Sequence, residues 1–282
     1  MANNPPSFSF PVTRKGQIKF FLKNHPFLIF QLSLILGIFF LPSVGVMLVH
    51  FMLEGSILSS ISDPIEQWMQ VCAYRRLMGL AIFPCFLLLS VGISGVSHCL
   101  RKLIFNEGLF LREDFFLGIK KNWKGNFFYA LILCFIHYAL LFLSNIISAE
   151  AVEYYYFLYA FQALFLLITV TSLPYFAFVE DRYSDGFLHK IKSTYALMFS
   201  SLKGLWPSLL LIGLPITLLF LLDGFVYLIP FICFLVLSII EFFFLLGFSS
   251  LTATCFIADV ADEKIHRYHF KDFYRKGLFQ NE

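Results

Sequence analysis

Residues 127–148 read FFYALILCFIHYALLFLSNIIS, 22 positions without one Asp, Glu, Lys or Arg. Lys120, Lys121 and Lys124 stand immediately before the stretch and Glu150 just after it. About 20 apolar residues cross the ~30 Å hydrocarbon core of a bilayer as a helix. The stretch has none of the alternation of a barrel strand, and a lone strand would leave its backbone polar groups unpaired in lipid, so a helix is expected.

Five more runs of the same kind flank it, at about 27–52, 77–98, 154–178, 205–222 and 225–257. The whole composition agrees: 59% of the 282 residues are hydrophobic, 14% are charged, and the mean hydropathy is +0.78. Soluble domains carry roughly 25% charged residues. So little charge cannot cover a water-facing surface, which excludes a disordered chain, a secreted disulfide scaffold and an ordinary soluble enzyme. The expected fold is an all-α polytopic membrane bundle of six transmembrane helices. A basic segment (1–26) precedes the membrane domain (27–258) and a basic tail (259–282) follows it.

Nineteen of the 21 Lys and Arg residues fall in the two terminal segments, the loop between the second and third spans and that between the fourth and fifth. The alternate loops hold only Arg75 and Arg76, with Glu54, Asp63, Glu66, Glu150, Glu153 and Asp223. Positive charge is retained on the cytoplasmic side. Both termini are therefore expected in the cytoplasm of a plasma-membrane protein, as an even number of spans requires. The first run is longer than a signal-peptide core and has no small-residue cleavage site after it, so it is expected to stay as a span. The starts of the odd-numbered spans resemble one another (Ile18-Lys19 to Phe27, Ile119-Lys120 to Phe128, and faintly Leu202-Lys203-Gly204). A repeat of this kind would make three helical hairpins of parallel orientation; lysine followed by Gly or Asn at any cytoplasmic helix start is the plainer explanation.

Glu241 is the one carboxylate deep within a span, and an ionisable residue at that depth is a candidate site. His137, Asn145, Gln162 and Gln31 are its candidate partners, and a structural carboxyl joining two helices is the competing reading. Arg112–Lys124 places Phe116, Ile119 and Trp123 on one helical face with Lys120 and Lys124 beside it, the pattern of an interfacial helix. In the tail, Lys264, Arg267, Lys271 and Arg275 form one basic stripe if the segment is helical. Anionic lipid headgroups explain both features, and a docking surface for a membrane transport component is the alternative. A charge of +3 does not suggest nucleic acid. Hydrolase, zinc and phosphate-loop motifs are absent, His266-x-x-His269 lacks a third ligand, and the six cysteines stand singly, so neither cofactor nor enzyme chemistry is expected.

The stretch Ser90-Val91-Gly92-Ile93-Ser94-Gly95-Val96-Ser97-His98-Cys99-Leu100-Arg101-Lys102 is followed by Asn106-Glu107-Gly108, Arg112-x-Asp114-Phe115-Phe116 and Lys120-x-Asn122-Trp123-Lys124. Together with Leu173-Pro174-Tyr175 and Leu202-Lys203-Gly204-Leu205-Trp206-Pro207, it resembles the YesL-type bacterial membrane proteins. The likeness covers about two-thirds of the chain, and the longer first outer loop, the Phe-rich last span and the basic tail depart from it. It implies a plasma-membrane protein associated with carbohydrate uptake by ABC-type transporters, as an accessory or interaction partner. It carries over no catalytic residue. A permease in its own right, with Glu241 in the translocation path, is the alternative.

Overall fold

A computed structural model describes residues 11–150, 155–200, 232, 236, 239 and 245–278. Every regular element among them is helical: α1 (Arg14–Asn24), α2 (Pro26–Ser60), α3 (Pro64–Ile104), α4 (Leu111–Glu150), α5 (Tyr155–Arg182), α6 (Phe187–Ser200) and α7 (Leu246–Ala261). A π-helical turn (Asp262–His266) and a 3-10 turn (Lys271–Phe273) follow. Within α2 to α5, four segments are long and apolar enough to cross a membrane: Pro26–Val46, Met69–Ile104, Leu111–Leu143 and Ala160–Arg182. Glu241, Cys233 and the fifth run lie outside the described residues, as does most of the sixth.

Local chemistry sets the boundaries. Thr13 caps α1, its hydroxyl accepting from the Gly16 N–H at 3.1 Å. Proline disfavours helix at the residue before it, so α1 breaks at His25 and Pro26 opens α2. Of the similar span starts, the first is interrupted at His25, whereas Ile119–Phe128 lies inside the unbroken α4, and the third lies outside the described residues. Asn106 ends α3 in the left-handed region (φ 55°). The Glu107 N–H donates to the Lys102 carbonyl and the Asn106 N–H to that of Leu103, a Schellman closure. Asp114 then accepts from the Phe110 N–H at 2.8 Å and starts α4.

Large apolar residues lie inside the bundle as well as on its outer surface: Leu32, Leu36, Leu100, Leu173 and Phe176 are buried. Phe27, Ile38, Leu77, Phe128, Phe135 and Phe161 point outward, while Ser90, Ser94, Thr169, Thr171 and Ser172 are buried. Such an outer surface would lose nothing in lipid, and small residues at some helix contacts let the backbones approach closely. α3 and α4 share the most extensive interface, and Gly95 and Gly118 bring them together. A Cβ on Gly95 would lie 2.5 Å from the Phe115 ring, and one on Gly118 2.5 Å from the His98 Cβ. Gly92 admits Phe39 of α2 in the same way. The glycine-rich stretch 90–102 is thus a helix-packing face.

The segment expected as a separate interfacial helix is the opening of α4, continuous with the span after it. Phe116, Trp123, Lys120 and Lys124 are exposed and Ile119 is half-buried. The inward face is Asp114, Gly118, Asn122 and Asn126, spaced i, i+4, i+8, i+12. α6 runs back along α5, with Phe187 against the Phe176 ring, Tyr195 near Tyr129 and Met198 near Thr171. The chain therefore reverses at Phe187 and runs back along α5, well before the expected fifth span.

At the far end of α2 and α3, Glu54 accepts from Arg75 Nε at 3.0 Å and lies 3.0 Å from His50 Nε2. Burial raises the Glu54 pKa, but His50 and Arg75 outweigh it and hold the carboxyl below its ordinary value. A depressed carboxylate stabilises the fold above its unfolded pKa, and that contribution disappears as pH falls through the folded value. Glu54→Gln should lower stability at neutral pH by about 1.5–3 kcal/mol, the range for charged hydrogen bonds, and should flatten the acid limb of a stability-against-pH curve. Gly95→Leu or Gly118→Leu should cost at least about 1–3 kcal/mol through overpacking of α3 against α4, read as a lower thermal midpoint in detergent.

Candidate functional site

Apart from the Glu54–Arg75 group, most charged residues of the described helices converge at one end of the bundle, where α3 ends, α4 begins, α5 ends and both terminal segments arrive. Two linked clusters form there.

The first is centred on Asp181, whose side chain is completely buried. His98 Nδ1 lies 2.8 Å from Oδ1, and Asn122 Nδ2 donates to the same oxygen at 2.7 Å. Arg101 Nε is 3.1 Å from Oδ2, an ion pair whose N–H is not aligned for a hydrogen bond. The more exposed Lys121 approaches to 3.9 Å. Helices α3, α4 and α5 thus each supply a group, and the buried carboxylate welds them. His98 Nε2 is buried without a hydrogen-bond partner among the described residues.

The second cluster joins the chain ends. Arg14 of α1 is 1% exposed, and its Nε and Nη2 donate to Asp262 Oδ2 at 3.1 and 2.7 Å. Its Nη1 donates to Gln17 Oε1 and to the Lys276 carbonyl, both at 3.0 Å. The other Asp262 oxygen holds His266 Nδ1 at 2.7 Å, and His266 Nε2 lies 2.8 Å from the Tyr183 hydroxyl. Burial pushes the Tyr183 phenol up, so it stays protonated and able to donate to His266. Gln17 Nε2 spans the Ile104 and Gly277 carbonyls at 2.8 and 2.9 Å, and Lys276 reaches Glu107 at 2.7 Å. Gly277 has φ +79°, and a Cβ there would strike the Ile104 carbonyl, so the tail approaches the α3–α4 turn as only glycine permits.

Arg182 lies between the clusters. Its guanidinium carbon sits 3.4 Å from the Phe178 ring centre and 4.8 Å from that of Phe105. Arg14 and Lys276 also lie within 6 Å of the Phe105 ring. Aromatic faces take the place of water around these cations. The chemistry is that of attachment: the two central carboxylates, Asp181 and Asp262, are each held by groups from other segments of the chain. A cavity of about 50 Å³ lies elsewhere, between α2, α3, α5 and α7, with Ser97, Ser249, Ser250 and Thr254 on its polar side.

The candidate residues are distributed differently from the expectation. The basic stripe of the tail does not form: Lys264 lies in the π turn, Lys271 in the 3-10 turn and Arg267 between them, while Arg275 has φ 51°. All four are exposed. The cause is the inward pull of Asp262 and His266, which bends the segment away from a straight helix. His266 and His269 do not converge, the first being buried and the second exposed. His137 stacks on Phe165 at 6.4 Å, and its Nδ1 is buried without a hydrogen-bond partner among the described residues. Gln162 is half-buried on α5, one turn before Phe165. Glu241 and the side chain of Asn145 fall outside the described residues, so the intramembrane constellation is represented by His137 and Gln162.

Sequence reasoning missed Asp181, His98, Asn122, Arg14, Asp262, His266 and Tyr183. A signal existed in Glu180-Asp181-Arg182, charge placed directly at the mouth of an apolar run, and in Asn122 and Asn126, four residues apart at the start of a span. Breaking one side of a buried ion pair leaves an uncompensated charge worth about 3–5 kcal/mol. Arg14→Gln or Asp262→Asn should therefore free both chain ends, seen as rapid tryptic cleavage after Lys271 or Lys276. Lys276→Gln, at a half-exposed pair, should change stability by no more than about 1 kcal/mol.

No family model matches the chain, and no curated protein or solved structure does either.

Proposed function

We propose that the chain is a six-span protein of the bacterial plasma membrane, with both ends in the cytoplasm. In this reading it serves a transport system as an accessory or interaction partner rather than as an enzyme. The observation that carries the topology is the buried Arg14–Asp262 pair. Chain ends joined on one side of a membrane demand an even number of crossings. Four helices with membrane-spanning character bring the chain from α1 back to Arg182 at the basic end. α6 then leaves that end and α7 returns to it, which calls for one further pair of crossings. The excess of Lys and Arg at this end supports the cytoplasm as its side.

The accessory role rests on the likeness to YesL-type proteins in 90–124 and 173–207, which suggests carbohydrate uptake as the process. It is supported by exposed Phe116, Trp123, Lys120 and Lys124, a mixed apolar and basic face that suits a neighbouring transport component. A transporter in its own right is the second reading. The cavity beside Ser249, Ser250 and Thr254 favours it, because these residues follow Glu241 closely along the chain.

Single cysteines at Ser7 and Gln280 should react with an impermeant thiol reagent only after the cells are opened, whereas one at Ser60 should react in intact cells. Labelling of the two ends from opposite sides would overturn the topology. Affinity purification in mild detergent should retain a transport component, and disruption of the Phe116–Trp123 face should release it while Glu241→Gln does not. Substrate flux by the purified protein alone in vesicles, abolished by Glu241→Gln, would replace the accessory reading with the transporter.

A further inference from the structure

The two terminal segments sort their charges by sign. On α1, Arg14, Gln17, Ile18 and Phe21 are buried, following the i, i+3, i+4, i+7 positions of one face. Lys15, Lys19 and Lys23 are left exposed at i, i+4, i+8 of the opposite face. After α7 the chain turns Asp262 and His266 inward and leaves Lys264, Arg267, Lys271 and Arg275 outside. Among the described residues, none of these seven exposed cations has an ion-pairing carboxylate. The nearby acids Glu107, Asp114, Glu180 and Asp181 are held by Lys276, Lys102, Lys190 and His98 respectively. Asp259, Glu263 and Asp272 remain exposed on the tail side, so the two segments together keep a net positive outer face.

We propose that α1 and the C-terminal segment, joined through Arg14 and Asp262, form a single basic plate that binds the anionic phospholipid headgroups of the adjoining leaflet. Position selects lipid over other anionic partners. α1 passes through His25 directly into α2, whose apolar run begins at Pro26, so its last turn stands at the water–lipid boundary. Its 11 residues extend about 16 Å, short enough to lie along the headgroup layer. Leu22 and Phe27 are exposed beside Lys23, and Tyr268 beside Arg267, apolar and amphipathic groups of the kind that settle at that boundary. The buried pair contributes no charge to the lipid. It keeps the outward faces of α1 and the tail on one body, so that a headgroup bound by either holds both.

The test uses the full chain in vesicles of phosphatidylcholine alone or of equal parts phosphatidylcholine and phosphatidylglycerol. Unfolding is followed with a thiol-reactive dye, for which buried Cys72, Cys85, Cys99, Cys134 and Cys255 are built-in reporters. The wild-type midpoint should be several degrees higher with phosphatidylglycerol, and high salt should remove most of the gain. The exposed triple variant Lys15→Gln, Lys19→Gln, Lys23→Gln should match wild type in phosphatidylcholine and lose at least half of the gain. Lys264→Gln, Arg267→Gln, Lys271→Gln should do the same from the other segment. An unchanged gain in both triple variants, or no gain in wild type, overturns the proposal. A gain of the same size from soluble polyglutamate in phosphatidylcholine vesicles also overturns it, in favour of an acidic protein. Both leaflets carry the same lipids, so the result is independent of which side is cytoplasmic. The proposal and the topology above therefore fail separately.

Discussion

Burying charge where water is scarce is the constraint on which this architecture depends. Asp181 and Asp262 are both removed from solvent, and each is held by groups from distant parts of the chain. Such pairs add little net stability relative to well-packed apolar residues, because desolvation offsets their attraction. What they favour is arrangement: a half-made network is far costlier than a complete one, which disfavours other placements of α1, α3, α4, α5 and the tail. The stacking of Arg182 on Phe178 and Phe105 belongs to the same solution, with aromatic faces where solvent would otherwise stand.

Above this end the energetics change character. In lipid no hydrophobic force drives helices together, so close contact at small residues takes over. Gly92, Gly95 and Gly118 admit Phe39, Phe115 and His98 to the surface of a neighbouring helix. Tyr129 and Phe176 stack at 4.1 Å, while the Tyr129 hydroxyl donates to Ser172 at 2.7 Å. Dispersion and hydrogen bonding are thus combined at one contact between α4 and α5. Buried serines and threonines such as Ser90, Ser94 and Thr169 satisfy their hydroxyls on their own helix backbones, which lets them sit inside the bundle without partners elsewhere.

The helical class and the position of the four described stretches long and apolar enough to cross a membrane were legible because they follow from summed hydropathy, a property of any 20-residue window. The buried face of α4 was not. Phe116 and Trp123, on the apolar face expected to meet lipid or a partner, are exposed, but the opposite face of Asp114, Gly118, Asn122 and Asn126 carries no apolar signal. The site escaped for a different reason. Arg14, Arg182 and Lys276 entered the reading as markers of sidedness, and a count of cations holds no information about which of them are buried. Asp262 and His266 meet Arg14 and Tyr183 only after the chain has crossed the whole bundle. Of the intramembrane candidates, His137 and Gln162 lie on facing helices, while Glu241 lies beyond the described residues.

α3 and α4 contain 41 and 40 residues without interruption, each about 60 Å long against a hydrocarbon core of ~30 Å. Each rod is therefore about twice as long as that core is thick. The two are packed closely at Gly95 and Gly118, toward the end where α3 stops and α4 starts. Helix tilt adjusts to membrane thickness. A rotation of about 10° over an overhang of roughly 15 Å moves the tip by about 2–3 Å, as much as a hydrogen bond is long. A change of tilt of that size would be felt beside the turn at Phe105, where Gln17 and Gly277 are held against the end of α3.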